Sequence, residues 1–121
     1  MPTLIACLSS GKGTWSEVVK IMNSQQWDKV YLITNQFGKD NFKAEENVEL
    51  VLIDSFQEVP NLVEQIKKQI NVKDFEVALN LVSGTGKEHM AVLEAVLELG
   101  LNFRLVSLKN NQVVSLGLER N

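Results

Sequence analysis

The stretch Asn80-Leu81-Val82-Ser83-Gly84-Thr85-Gly86-Lys87 marks the point where a buried strand ends and the last long helix begins. Residues 75–82 are mostly apolar and rich in Val and Leu, which is typical of a strand covered on both faces. Ser83-Gly84-Thr85-Gly86 then predicts a turn in which two glycines are free to adopt positive φ. Thr85 and Glu88 have the spacing of a capping box, which predicts the start of the helix.

The pattern Ser-Gly-x-Gly recurs at Ser10-Gly11-Lys12-Gly13, after the apolar strand Thr3–Leu8 and before another helix. Thr14 and Glu17 repeat the capping-box spacing. The N–H groups at a helix start, with the helix dipole behind them, favour an anion, and each junction carries a lysine. The two Ser-Gly-x-Gly loops together predict one shared anion site. The alternative is that each loop is merely a tight turn between strand and helix.

Composition indicates one ordinary globular domain over residues 1–121, with 45% hydrophobic and 22% charged residues. The formal net charge of −3 argues against a general nucleic-acid surface, such as one for a DNA duplex, but allows a local positive pocket for a small anion. We expect a cytoplasmic protein without a membrane segment, because no apolar run has spanning length and the N-terminus lacks signal-peptide features. Cys7 lies in the first strand, where we expect a buried hydrophobic residue rather than a reactive thiol.

Strands are predicted at residues 3–8, 29–35, 48–53, 75–82, 103–108 and 113–116. Three helices are predicted from apolar spacing: one from about Trp15 to Met22, one over residues 59–70 with Pro60 near its start, and one over residues 86–99. Residues 36–47 are predicted to form a loop that contains at most a short helical turn. Trp15 is predicted to join the core, with stacking on a base as the alternative.

The last helix is unusually apolar, with a narrow polar stripe through Lys87, Glu94 and Glu98. We therefore expect it to be buried on nearly all sides, either by central packing or at a subunit interface. Gly100 is expected to end it. Residues 109–112 predict a hairpin turn, so the sixth strand is expected to be an antiparallel edge strand.

This order of elements predicts a three-layer α/β fold with a mostly parallel, Rossmann-like sheet and helices on both faces. In that strand order the first and fourth strands are neighbours at the topological switch point, where ligands bind beyond the carboxyl ends of the strands. The two Ser-Gly-x-Gly loops follow these two strands. This position is the main sequence argument for a binding site.

Several common chemistries are disfavoured by the sequence. Neither loop has the G-x-x-x-x-G-K-[ST] spacing of a P-loop. A dinucleotide fingerprint would need a glycine where Ser16 stands and an acidic residue where Asn35 ends the second strand. His89 is the one histidine, and without a Cys/His cluster or H-E-x-x-H spacing a metal site is not expected. A Ser-His-Asp arrangement is not expected either, because the sequence lacks a nucleophile elbow.

Residues 79–87, followed by an apolar helix, resemble the N-x-T-G-G-T-K segment of CRISPR-associated Rossmann fold (CARF) domains. The order of elements resembles that family over essentially all 121 residues, including the antiparallel final strand. Residues 8–13 match the position of the family's other ligand loop. The resemblance implies a homodimer whose two pockets join across a two-fold axis to hold a cyclic oligoadenylate, a second messenger of type III CRISPR antiviral signalling.

The resemblance also implies site residues, and it implies neither a cofactor nor a metal. The residues expected to act in cleavage, if the ring is cleaved, are Ser10, Lys12 and Lys87. The residues expected to contact the ligand are Ser9, Gly11, Gly13, Thr14, Asn35, Asn80, Ser83, Gly84, Thr85 and Gly86.

Three functions stay open at this point. In a metal-independent ring nuclease, each ribose 2′-hydroxyl attacks its own phosphodiester while the protein aligns it and stabilises charge. A binding-only sensor or buffer would pass the signal to a separate effector protein. A structural subunit of a larger assembly would use the apolar last helix as an interface, and its glycine loops would only be turns.

Overall fold

The structure is a computed structural model that describes residues 3–8, 14–74 and 76–117. The predicted strands and long helices are present, with ends that differ by a residue or two from the sequence-based bounds; Phe75, the predicted first residue of the fourth strand, lies outside the described residues. The elements are β1 (Thr3–Leu8), α1 (Trp15–Asn23), β2 (Lys29–Thr34), α2 (Gln36–Asn41), β3 (Val48–Leu52), α3 (Val59–Gln69), β4 (Glu76–Asn80), α4 (Gly86–Glu98), β5 (Asn102–Lys109) and β6 (Gln112–Ser115).

The sheet has the strand order β3-β2-β1-β4-β5-β6. The strands β1 to β5 are parallel, and β6 pairs antiparallel with β5. The chain therefore builds one half of the sheet outward from β1, then returns to the other side of β1 to start the second half. This is the predicted Rossmann-like arrangement, and it makes β1 and β4 neighbours at the switch point.

Two apolar clusters cover the two faces of the sheet, which confirms the three-layer α/β fold. On one face, Leu4 and Leu8 of β1 pack with Val18 and Ile21 of α1. On the other face, Ile5 of β1 belongs to a larger cluster that includes the inward sides of α3 and α4. Alternate residues of β1 thus enter opposite layers, as the period of a strand requires.

The segment after β2 contains a helix where the sequence predicted mainly a loop. Asn35 caps α2, because its side-chain oxygen accepts a hydrogen bond from the N–H of Gly38. Gly38 packs so closely on β2 that a Cβ there would lie 1.7 Å from Oγ1 of Thr34. The cap and this close approach explain a helix that its polar sequence did not suggest.

The helix α4 is less enclosed than its sequence suggested. Its inward side, including Ala91 and Val92, is fully buried, but Met90 is 62% and Leu97 is 60% exposed. Central packing is therefore excluded: one side of α4 packs on the sheet and on α3, and apolar residues on another side face outward. The alternative, burial of that outward side at a subunit interface, stays a prediction. Within the part of the chain that the structure describes, no helix combines the length and the apolar character needed to cross a membrane.

A glycine ends α4 and an asparagine pair forms the turn between β5 and β6, as predicted. After α4, Gly100 has φ of +72° and its N–H donates to Leu97, while the N–H of Leu101 donates to Val96. This pair of bonds is a Schellman motif. Between β5 and β6, Asn110 and Asn111 both have positive φ, the geometry of a type I′ hairpin turn.

Candidate functional site

The carboxyl ends of β1 and β4 lie side by side, with Ala6 of β1 paired to Asn80 of β4. The segments that follow these strands therefore start at the same edge of the sheet, at the switch point. In the first segment, Ser9, Ser10, Gly11, Lys12 and Gly13 lie outside the described residues, so the predictions made for them stay predictions.

At the end of that first segment, Thr14 occupies the N-cap position of α1, as predicted. In the described part of the chain, however, its side chain accepts no hydrogen bond from the helix. Its ψ of 0° lies outside the extended region that an N-cap residue needs to turn its oxygen toward the first turn. The predicted capping box with Glu17 is therefore wrong, and Thr14 is a half-buried residue at the helix start.

The second segment is shaped by Gly84, which has φ of +103°. A Cβ at this position would lie 3.0 Å from Oε1 of Glu88 and 3.2 Å from Cβ of Cys7. Gly84 thus meets both requirements for glycine, positive φ and a close approach. Gly86, the other glycine of the motif, is the first residue of α4 and has no positive φ. The prediction of two glycines free to adopt positive φ is therefore confirmed for Gly84 only.

The start of α4 is closed by the predicted capping box. Oγ1 of Thr85 accepts a hydrogen bond from the N–H of Glu88 at 3.2 Å. In return, Oε1 of Glu88 accepts one from the N–H of Thr85 at 2.8 Å. The remaining N–H groups of the first turn, those of Gly86 and Lys87, have no acceptor within the helix by its geometry. Both residues are exposed, so their N–H groups are available to an anion.

Lys87 is exposed and its side chain reaches across to the loop after β3. Nζ lies 3.2 Å from the backbone carbonyl oxygen of Ser55. The positive charge therefore sits between the start of α4 and the neighbouring loop. A neutral carbonyl is a modest partner for an ammonium group, so an anionic ligand can replace it at little cost.

Two predicted ligand residues are instead buried and support the loop. The amide of Asn80 donates to the carbonyl of Val106 at 2.8 Å and accepts from the N–H of Val82 at 3.3 Å. Ser83 is buried, and its carbonyl oxygen lies 2.8 Å from Nε2 of His89. These contacts hold the segment between β4 and α4 in place. They also give His89 a structural partner, which the sequence did not reveal.

Glu88 and Cys7 form a buried pair behind this loop. Glu88 is 3% exposed, and besides its bond to Thr85 it accepts one from the hydroxyl of Ser55 at 3.3 Å. Burial raises the pKa of the Cys7 thiol strongly, and the charge of Glu88 raises it further. Cys7 is therefore a protonated, buried residue, as the sequence predicted, and not a nucleophile.

Beside the start of α4 lies a cavity of about 780 Å³. It opens between the ends of β2 and β3 and the first turn of α4. Its lining includes Asn35, Phe37, Ile53, Asp54, Phe56 and Glu88. The sequence singled out two of the lining residues, Asn35 and Thr85, as ligand residues. The run Asp54-Ser55-Phe56 directly after a strand was the available signal, because it lies at the same edge of the sheet as the two glycine loops.

Trp15 is partly buried and packs against the cluster that covers the α1 face, which confirms its predicted place in the core. Its ring meets Phe37 and Phe42 edge to face, with centroids 6.0 and 6.3 Å away.

Among the described residues, no group of three His, Cys, Asp or Glu side chains could hold a metal ion.

The chain matches no protein-family model and no curated protein. The resemblance to CARF domains therefore rests on residues 8–13 and 79–87 and on the order of elements.

Proposed function

We propose that two copies of this chain bind one cyclic oligoadenylate at the sheet edge where β1 and β4 end. The observation that carries this proposal is the position of the two Ser-Gly-x-Gly segments, which follow neighbouring strands at the switch point. The exposed N–H groups of Gly86 and Lys87 and the Lys87 ammonium supply a local anion site on a chain of net charge −3. A cyclic oligonucleotide is a compact polyanion that repeats the same phosphate, so it suits two such sites.

The proposed homodimer is supported by an exposed apolar surface, here called the α4–β5 surface and defined by Met90, Leu97, Leu105 and Leu116. Leu105 of β5 lies opposite Leu116, since the N–H of Leu116 donates to the carbonyl of Leu105. A large contiguous apolar patch on a protein surface marks an interaction site, and these residues come from adjoining elements. An isologous interface presents the same surface on both copies, which matches a ligand with two-fold symmetry.

In the ring-nuclease form of the proposal, a ribose 2′-hydroxyl attacks the adjacent phosphorus and the 5′-oxygen leaves. The products are a 2′,3′-cyclic phosphate and a 5′-hydroxyl, and no water is consumed. The chain would align the attacking and leaving oxygens and stabilise the charge on the phosphorane. The residues proposed to align these oxygens and stabilise this charge are Lys87 and, in the first segment, Ser10 and Lys12.

The test is titration of the purified protein with cyclic tetra-adenylate and cyclic hexa-adenylate by calorimetry. The mixtures are then analysed for linear products, with and without EDTA. One ring bound per two chains supports the proposal, and cleavage that survives EDTA assigns the ring-nuclease form. Binding without cleavage assigns a cytoplasmic sensor or buffer that acts through a separate effector.

A second candidate function is a structural subunit of a larger assembly, and the α4–β5 surface favours it as well. In that case the surface would bind another protein, and neither ring would bind. Lys87→Ala separates the two functions, because it lowers ring affinity in the first and leaves assembly unchanged in the second.

A further inference from the structure

We propose that the cavity beside the start of α4 binds the adenine base of a nucleotide, with the base against the ring of Phe56 and its amino group at Glu88. This inference rests on the proposed function for the identity of the base. It adds the place where one base of the ligand is held and the residues that select it.

The cavity has the size and the character of a small-molecule site. At about 780 Å³ it lies within the usual range for ligand pockets. Leu52, Ile53 and Phe37 supply apolar walls, and the rim carries polar groups. Thr85 is part of the lining, so the cavity is continuous with the exposed first turn of α4.

Phe56 is the most unusual feature of the cavity, because its ring is 96% exposed. Hydrogen bonds hold the backbone of this turn: the N–H of Phe56 donates to Oδ1 of Asp54, and the N–H of Gln57 donates to the Asp54 carbonyl. Oε1 of Gln65 on α3 in turn accepts from the N–H of Asp54. The turn therefore holds a large apolar ring at the mouth of the cavity. Exposed aromatic rings in such positions stack on bases.

The charges in the cavity indicate which part of a nucleotide enters it. Asp54 and Glu88 are acidic, and no described lining residue is basic. A phosphate would be repelled there. A neutral planar base that donates N–H groups is compatible with both the apolar walls and the acidic acceptors. The phosphate belongs outside, at Lys87, whose Nζ lies at the carbonyl of Ser55 beside Phe56.

Glu88 has acceptor capacity left for such a base. An ionised carboxylate has about four lone-pair sites. The hydrogen bonds described here use one on each oxygen: Oε1 accepts from the Thr85 N–H at 2.8 Å and Oε2 accepts from the Ser55 hydroxyl at 3.3 Å. Since the group is buried and lines the cavity, a bound amino group would meet a charged acceptor with little competition from water.

The first experiment uses Phe56→Ala and Phe56→Trp with adenosine 5′-monophosphate as the probe. We expect Phe56→Ala to bind about tenfold more weakly than wild type, the scale of one lost base–aromatic stack, and Phe56→Trp to retain affinity. Leu99→Ala is the control, because Leu99 is an exposed apolar residue at the opposite end of α4 from the cavity and is not part of the α4–β5 surface. In Phe56→Trp, binding should quench the fluorescence added by the new indole, measured against the Trp15 and Trp27 background of wild type. Unchanged affinity in Phe56→Ala, or no quenching in Phe56→Trp, overturns the proposal.

The second experiment tests Glu88 with purine riboside 5′-monophosphate, which lacks the amino group of adenine. We expect wild type to prefer the adenine compound about tenfold, the scale of a hydrogen bond to a charged group. Glu88→Gln keeps the capping box, because glutamine also serves at that position. Its neutral acceptor should reduce the preference to roughly threefold. An equal preference in wild type and Glu88→Gln would exclude Glu88 as the acceptor.

The outcomes separate this inference from the proposed function. If cyclic tetra-adenylate binds and Phe56→Ala binds it equally well, the adenine site is wrong and the proposed function stands. If the monophosphate binds in a Phe56-dependent way and neither ring binds, the cavity is a nucleotide site and the proposed function is wrong. If no adenine compound binds, both are wrong.

Discussion

Nζ of Lys87 lies 3.2 Å from the backbone carbonyl oxygen of Ser55, so the first turn of α4 is joined to the loop after β3. The contact brings a positive charge to the edge of the sheet between the second glycine segment and the cavity. It also places a residue that follows β4 within reach of the loop after β3.

We expect Lys87→Ala to weaken binding of cyclic tetra-adenylate by about 1.5–3 kcal/mol, or roughly 10- to 150-fold, the scale of a hydrogen bond to a charged group. The free energy of unfolding should change little, because Lys87 is exposed. Calorimetric titration measures the affinity. Lys68→Ala, an exposed lysine in the last turn of α3, removes the same charge and is the control. Equal losses in both variants would mean that net charge, and not the position of Lys87, sets the affinity.

The two glycines of the second segment should differ sharply in their tolerance of alanine. Gly84→Ala should lower the free energy of unfolding by about 1–2 kcal/mol or more, because φ is +103° and the new Cβ would lie 3.0 Å from Glu88. Gly86→Ala should be neutral or slightly stabilising, since no described atom lies within 4 Å of its Cβ position and alanine favours the helix. Urea unfolding of both variants measures the contrast. Equal effects would contradict the geometry of this turn.

The two threonines at helix starts provide a matched pair. Thr85→Ala should cost about 1 kcal/mol of stability, because it removes the oxygen that accepts from the N–H of Glu88. Thr14→Ala should cost clearly less, because among the described residues the helix makes no cap bond to its side chain. Thermal or urea unfolding tests this order. A larger loss for Thr14 would show that its hydroxyl is used in solution.

The ion pair between Lys67 of α3 and Glu98 of α4, with an N–O distance of 2.9 Å, predicts a pH-dependent contribution to stability. The hydrogen bond between them raises the pKa of Lys67 above its ordinary 10.5 and lowers the pKa of Glu98 below its ordinary 4.5. The Glu98 contribution is therefore present above pH 4.5 and is lost as the pH falls through its folded-state pKa. The Lys67 contribution is present below pH 10.5 and is lost as the pH rises through its folded-state pKa.

Between pH 4.5 and pH 10.5, Lys67→Met should therefore have a lower urea midpoint than wild type. The difference between the two proteins should vanish in strong acid. The effect should be small and should shrink at high salt, because both groups are partly exposed. Lys68→Met is the control. A difference that persists after Glu98 is protonated would mean that Lys67 acts through the packing of its stem.

The α4–β5 surface predicts the oligomeric state. Wild type should sediment as a dimer, and Leu97→Glu should shift it to a monomer, because the interface would have to bury a charge. The variant should keep its circular dichroism spectrum, since Leu97 is largely exposed. Asn23→Glu at the end of α1 adds the same charge on the opposite face of the sheet and should remain dimeric. A monomeric wild type would exclude a site shared between two copies.

Much of the fold could be predicted because local patterns and topology agree. The apolar strands, the Thr85–Glu88 capping box, the stop at Gly100 and the Asn110-Asn111 turn each depend on neighbouring residues, so their spacing in the sequence is sufficient evidence. The Thr14–Glu17 pair has the same spacing and fails, because ψ at Thr14 is 0°, and the spacing of two residues does not encode that angle.

The sequence by itself thus determined the class of fold, the strand order and the edge of the sheet from which the two glycine segments start, because periodicity and chain connectivity leave few arrangements. Tertiary structure decided which side chains face that edge. Asn80 and Ser83 are turned inward and support the loop, whereas Phe56, 24 positions before Asn80 in the numbering, stands at the mouth of the cavity. Burial and side-chain direction depend on neighbouring strands and helices that are distant in sequence, and no local pattern encodes them.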